Sequence, residues 1–242
     1  MKKLFFGLFA LISLNTFAQP WQTIKGKGQI KKETREVNAF TSLSSGGAAD
    51  VQITYGNSKS ISIEADENLL PYIETSVEDG KLTIKSKKNV NLKTRSKIVV
   101  LVSMTKISSL QQSGSGTITG DGAFINDGKT EITTSGSGNI KLGFDSFKGL
   151  DLSISGSGNI NLSGKSTDNI SARISGSGNI DCSSISSNDV DAKISGSGNI
   201  KVFANNSIDA KINGSGNVYY KGRATDIKSK VAGSGKVLKI QS

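Results

Sequence analysis

The chain contains no histidine and a single cysteine, Cys182. Without an imidazole it cannot build a Ser-His-Asp triad, a histidine-ligated zinc site or a metalloprotease helix. One cysteine excludes an intrachain disulfide. Cys182 falls in an apolar column with Leu162 and Val202, the place of a small core residue rather than a nucleophile. There is no GxSxG elbow, no phosphate loop and no GxGxxG after a strand pattern. The turns lack the aspartates of calcium-binding β-rolls. No cofactor or metal site is therefore expected. Any two aspartates could meet to form a glycoside-cleaving pair, but no pair is singled out.

Apolar runs are equally scarce, and the one from Leu4 to Leu14 follows Lys2 and Lys3 and precedes Thr16-Phe17-Ala18. That order reads as a secretory signal peptide over residues 1–18, cleaved before Gln19 and too short to remain as a membrane span. No cysteine lies near the cleavage point, so lipid anchoring is not expected. The chain is expected to be exported to the periplasm, the outer-membrane surface or the medium, and not to be transmembrane. Lys and Arg number 30 against 20 Asp and Glu, and the excess persists without Lys2 and Lys3. A basic exported protein meets acidic glycans, lipopolysaccharide or extracellular DNA, while the plainer account is solubility. No specific nucleic-acid partner is implied.

What the chain has in abundance is glycine, in a repeated Gly-Ser-Gly. Seven copies start at Gly114, Gly136, Gly156, Gly176, Gly196, Gly214 and Gly233, at intervals of 18 to 22 residues. Self-similarity at that period is the mark of a solenoid. Counted from the first glycine, Ile154, Ile174, Ile194, Ile212 and Val231 stand two before it, and Leu152, Ala172, Ala192 and Ala210 four before. Leu150, Ile170, Val190, Ile208 and Ile227 stand six before, and Ile140, Ile160, Ile180, Ile200, Val218 and Val237 four after. Apolar columns spaced by two share one strand face and point inward. Each coil is then a strand, a glycine corner, a second strand and a looser return, and no coil stands alone.

The corner supplies the candidate site residues. They are Gly136-Ser137-Gly138-Asn139, Gly156-Ser157-Gly158-Asn159, Gly176-Ser177-Gly178-Asn179 and Gly196-Ser197-Gly198-Asn199. A sharp bend needs the positive φ that glycine adopts and asparagine tolerates. Stacked coils would place the asparagines in one axial ladder with the serines beside it. The structural role of a corner ladder is the main reading, and a polar ridge offered to a glycan is the second. Outward along the strand before the corner run a carboxylate column (Glu131, Asp151, Asp191, Asp209) and a basic column (Arg173, Lys193, Lys211, Lys230), which offset each other across strands.

Ahead of the repeats, residues 19–36 read as a lead-in strand or loose N-terminus. Ser45-Gly46-Gly47 followed by Val51-Gln52-Ile53 looks like a degenerate first copy. About two helical turns are expected from Glu67 to Ile73, capped by Asp66 and with Pro71 near the start. Asp79-Gly80 marks a hairpin. The run from Ile98 to Val102 is apolar on both faces, as in a strand covered on both sides. Residues 37–105 form a β-rich cap with the first coils, and 106–242 the repeats, in one domain.

The Ser-Gly-Ser-Gly-Asn-Ile copies at Ser135, Ser155, Ser175 and Ser195, with Ser45-Gly46-Gly47-Ala48, resemble the putative auto-transporter adhesin, head GIN domain family over roughly residues 38–221. The resemblance implies an all-β, right-handed parallel β-helix exported by Bacteroidota-like bacteria, with no established activity. No membrane-spanning translocator follows the repeats before Ser242, so an auto-transporter in the strict sense is not expected. Three functions are open. The first is a non-catalytic exported solenoid binding an acidic glycan, lipopolysaccharide or a cell-surface protein. The second is a polysaccharide-active enzyme, a lyase or hydrolase, with two or more carboxylates and a cation in a groove. The third is a structural module joined through its end coil, against which Lys236 and Lys239 act as edge protection.

Overall fold

Residues about twenty apart lie on neighbouring strands. The computed structural model describes residues 21–57 and 59–241; the signal segment expected over 1–18 lies outside them. The architecture is a parallel β-solenoid of about six turns, as the repeat predicts. Ile154 pairs in register with Ile174, Ile174 with Ile194, Ile194 with Ile212 and Ile212 with Val231. On the second strand of each coil, Ile140, Ile160, Ile180, Ile200, Val218 and Val237 form the matching row. Through Val218 these rows are buried and form one continuous core. Each aliphatic side chain so buried contributes roughly 1.5–3 kcal/mol, and the neighbouring coil is what buries it.

The interval of 18 residues between Gly196 and Gly214 is absorbed in the return. The register between Asn179–Gly196 and Asn199–Gly214 shifts between Asp181 and Ser186 and again between Ser187 and Asp189. It is regular from Val190 to Gly196, so the corner stays aligned while the return takes up the difference.

The degenerate copy is a true coil, but its stacking partners are remote in sequence. Ser42–Gly47 pairs parallel with Ser109–Gly114, and Asp50–Tyr55 with the strand Thr117–Gly136. On its other side the same coil pairs parallel with Lys81–Ser86 and Val99–Met104, which form the first turn of the stack. Antiparallel strands close that end: Ile73–Glu78 against Lys81–Ser86, and Ser60–Asp66 against both Ile30–Glu36 and Val99–Met104. The hairpin turn at Asp79-Gly80 has positive φ at both residues, 49° and 69°, the primed geometry that suits strand twist.

Several expectations are corrected. The helical segment Glu67–Tyr72 is a 3-10 helix with Pro71 inside it, and Asp66 makes no side-chain cap to it. Proline lacks the N–H that a continuing α-helix would use. The buried Asp66 carboxylate instead accepts backbone N–H bonds from Gly28, Arg95 and Ser96, tying two loops to the capped end. Val100 and Val102 are buried while Leu101 is 37% exposed, so the run from Ile98 to Val102 is covered on one face. Its other protection is edge-on, from strands hydrogen-bonded on both sides. Of the two readings of the lead-in, the strand is the one found: Gln22–Lys25 pairs parallel with Val90–Lys93, and Ile30–Glu36 pairs antiparallel with Ser60–Asp66. Finally, Ile227 and Val231, expected inside, are 42% and 41% exposed. They stand on the last coil, and no described strand continues the stack beyond it.

Candidate binding faces along the coils

The corner is held by backbone contact before any side chain acts. Gly176 has φ +130°, and a β-carbon there would lie 2.2 Å from the Gly156 carbonyl oxygen of the preceding coil. At Gly178 it would lie 2.1 Å from Gly158 O. Neither position admits a side chain. The same close approach recurs at Gly136, Gly138, Gly156, Gly158, Gly196 and Gly198. In exchange, each corner N–H reaches the coil below: Ser137 N to Gly114 O at 3.0 Å, Ser157 N to Gly136 O at 2.8 Å, Ser177 N to Gly156 O and Ser197 N to Gly176 O at 2.9 Å.

Beside this stack runs an amide ladder. Asn159 Nδ2 donates to Asn139 Oδ1 at 2.8 Å, Asn179 to Asn159 and Asn199 to Asn179 at 3.0 Å each, and Asn217 to Asn199 at 3.2 Å. The last oxygen, Asn217 Oδ1, accepts from the backbone N–H of Lys236. Every amide points its donor the same way, so Asn159 and Asn179 each keep a second N–H and a lone pair for other partners, while Asn199 Oδ1 accepts from both the backbone N–H and the amide of Asn217. Ser137, Ser157, Ser177 and Ser197 are exposed, and among the described residues no hydrogen bond joins their hydroxyls. A groove of about 670 Å³ follows the ladder, floored by Asn159, Asn179 and Asn199 and flanked by Asp181, Lys201, Tyr219 and Ile240. Tyr219 occupies the strand position of Asn161 and Asp181 on a later coil, a position between the two apolar columns that the repeat pattern left unmarked. Ile240 arrives from the chain end, and no column marked it.

The strand before the corner carries the charge. Asp151 bonds Lys129 Nζ at 2.7 Å and Arg173 at 2.8 Å, bridging three coils. Lys193 pairs with Asp191 at 2.8 Å and Lys211 with Asp209 at 3.1 Å along the same strands. Partial burial pushes the Asp151 carboxyl up, but the hydrogen bond and charge of Lys129 and the charge of Arg173 outweigh it, and its pKa lies below the usual value. The Asp189 carboxyl is likewise lowered, by hydrogen bonds from Ser207 and Asn206.

Asp191 and Asp209 are register partners on adjacent coils, the pairing that carboxylate chemistry would need. The neighbouring groove of about 570 Å³ is lined by Arg173, Lys193, Lys211 and Lys230 and by none of these carboxylates. Burial pushes the Cys182 thiol far up, with Asp181 adding to the effect, so it is held as a thiol. Among the described residues, no three His, Cys, Asp or Glu side chains cluster as metal ligands. No helix among them is long and apolar enough to cross a membrane.

Residues 39–224 match the family described as putative auto-transporter adhesin, head GIN domain. The chain belongs to that family. The head GIN fold is shared with a solved putative adhesin from Bacteroides fragilis, at a TM-score of 0.83 and 22% identity over 90% of this chain and 100% of that one. A putative lipid binding protein from Parabacteroides distasonis superposes with a TM-score of 0.72 at 25% identity, covering 91% of this chain and 100% of its own. A putative adhesin from Parabacteroides merdae gives 0.69 at 26% identity with the same coverages. No curated protein matches the chain. The matched head GIN segment contains the corner columns from Gly46 to Asn217 and stops before the last coil.

Proposed function

We propose that this head GIN protein is an exported, non-catalytic binding solenoid of the cell envelope, engaging a surface glycan through its lateral faces. The observation that carries this reading is the groove along the asparagine ladder, where amides repeat at one strand spacing, about 4.8 Å. A linear polymer with a similar repeat can meet one amide after another, so weak contacts accumulate along its length. The basic column and the excess of Lys and Arg, which persists without Lys2 and Lys3, favour acidic polymers such as lipopolysaccharide or uronic-acid glycans. Export is supported by the signal-like residues 1–18, and adhesin relatives fit a surface role.

A panel of acidic and neutral glycans and lipopolysaccharide, screened at moderate salt, tests the reading. Saturable binding to at least one polymer, with no products released, is expected. Absence of all binding overturns it, and chain cleavage would move the protein to the polysaccharide-active alternative. Protease shaving of intact cells tests the location, with release of the repeat region expected for a surface protein.

A further inference from the structure

The capped end holds a second concavity, separate from the ladder. A cleft of about 640 Å³ opens between Trp21, residues 85–92 and the first corner at residues 46–49. That volume is in the range of small-molecule sites. Trp21, Ala48 and Leu92 supply its accessible apolar surface over the buried Ile84, Val90 and Ile98, and its charged lining is Lys85, Lys87 and Lys88, with no Asp or Glu. Glu74, the cross-strand partner of Lys85, is not part of the lining. Lys87 and Lys88 sit in a tight turn closed by Val90 N to Lys87 O at 3.1 Å, with Asn89 at positive φ, which brings both lysines to the lining; the Lys87 ammonium lies over the Tyr72 ring, 5.7 Å from its centroid. At the edge stands Trp21, 70% exposed. A surface tryptophan beside an apolar cleft suits a boundary with one wet and one apolar side.

Apolar walls with a purely cationic rim match a molecule with an apolar tail and an anionic head. We propose that this cleft binds a free single-chain anionic amphiphile, a long-chain carboxylate, with its tail along Trp21, Ala48 and Leu92 and its head at Lys87 and Lys88. The concave, bounded shape fits one detached chain rather than a bilayer surface. The site goes beyond glycan binding and does not depend on it.

Trp21 is the only tryptophan, so its emission reports on the cleft alone. The purified protein is titrated with a fatty acid brominated along its chain, kept below its micelle concentration. Saturable quenching at one ligand per chain is expected. Ala48→Phe, which fills the mouth, should abolish it, and Lys87→Glu with Lys88→Glu should weaken it about tenfold. The brominated alcohol of the same tail should also bind about tenfold more weakly. Circular dichroism confirms the fold of each variant, and the lysine pair, being exposed, serves if Ala48→Phe unfolds. Quenching that does not saturate, or is equal for the alcohol, or survives both the filled mouth and the reversed charges, overturns the proposal. Quenching by brominated vesicles but not by the free acid would assign the face to membrane docking and overturn it as well. Glycan binding is measured separately, so failure of one leaves the other standing.

Discussion

Gly176 sits over Gly156 so closely that the carbonyl oxygen of one occupies the space where a β-carbon of the other would stand, 2.2 Å away. The corner thus depends on two demands that coincide: positive φ and room for a neighbouring backbone. Gly80 has only the first, with φ +69° and nothing within 4 Å of an added β-carbon.

Gly176→Ala is therefore expected to cost more than about 3 kcal/mol, because backbone must move apart as well as adopt an unfavourable φ. Gly80→Ala should cost about 1–2 kcal/mol, the left-handed penalty alone. Urea midpoints of the two variants check this, and equal shifts would mean that the coils are not in contact at the corner.

Asn179 both donates to Asn159 and accepts from Asn199. Asn179→Ala removes two exposed hydrogen bonds and is expected to lower stability by about 1–2 kcal/mol. Asn179→Asp keeps the acceptor for Asn199 but sets a carboxylate oxygen against Asn159 Oδ1 where a donor stood, so its loss should be at least as large. Ser177→Ala, next to it but outside the ladder, should be near neutral. Thermal midpoints of the three variants measure the order.

The solenoid was legible because its signal is repeated. The Ile154, Ile174, Ile194 column states the strand face, the inward side and the stacking register together. The corner was legible for the same reason, since glycine and asparagine recur where the bend needs them. The joining of Ser42–Gly47 to Ser109–Gly114 was not legible, because local alternation reveals a strand without naming a partner more than sixty residues away. Ile227 and Val231 obey the column rule yet are exposed, since burial belongs to the next coil and not to the residue. Asp66 had the composition of a cap, and only the fold brings Gly28 and Arg95 to its carboxylate.

Asp151, ordinarily titrating near 3.8, is held lower by Lys129 and Arg173. A carboxyl depressed in the folded state contributes stability above its unfolded pKa and loses it as pH falls through the folded one. Asp151→Asn is therefore expected to be less stable than the parent by about 0.5–1 kcal/mol at pH 7, a partly exposed network. The difference should begin to fall near the ordinary carboxylate value, vanish only below the depressed one, and shrink in high salt. Stability curves of both proteins from pH 7 to pH 2 give the comparison; a gap that widens toward acid would contradict the ion-pair assignment.

Coil stacking is tested most directly by disulfide formation between surface serines. Ser155, Ser175 and Ser195 are exposed register partners on successive coils. Neighbouring strands lie about 4.8 Å apart, within reach of a disulfide, and strands two coils apart lie at roughly twice that, beyond it. Ser155→Cys with Ser175→Cys, and Ser175→Cys with Ser195→Cys, should each form an intrachain bridge on mild oxidation, whereas Ser155→Cys with Ser195→Cys should not. Failure of both neighbouring pairs to bridge, or bridging by the distant pair as fast as by the near ones, would contradict the stack on which the ladder and the lateral binding face depend.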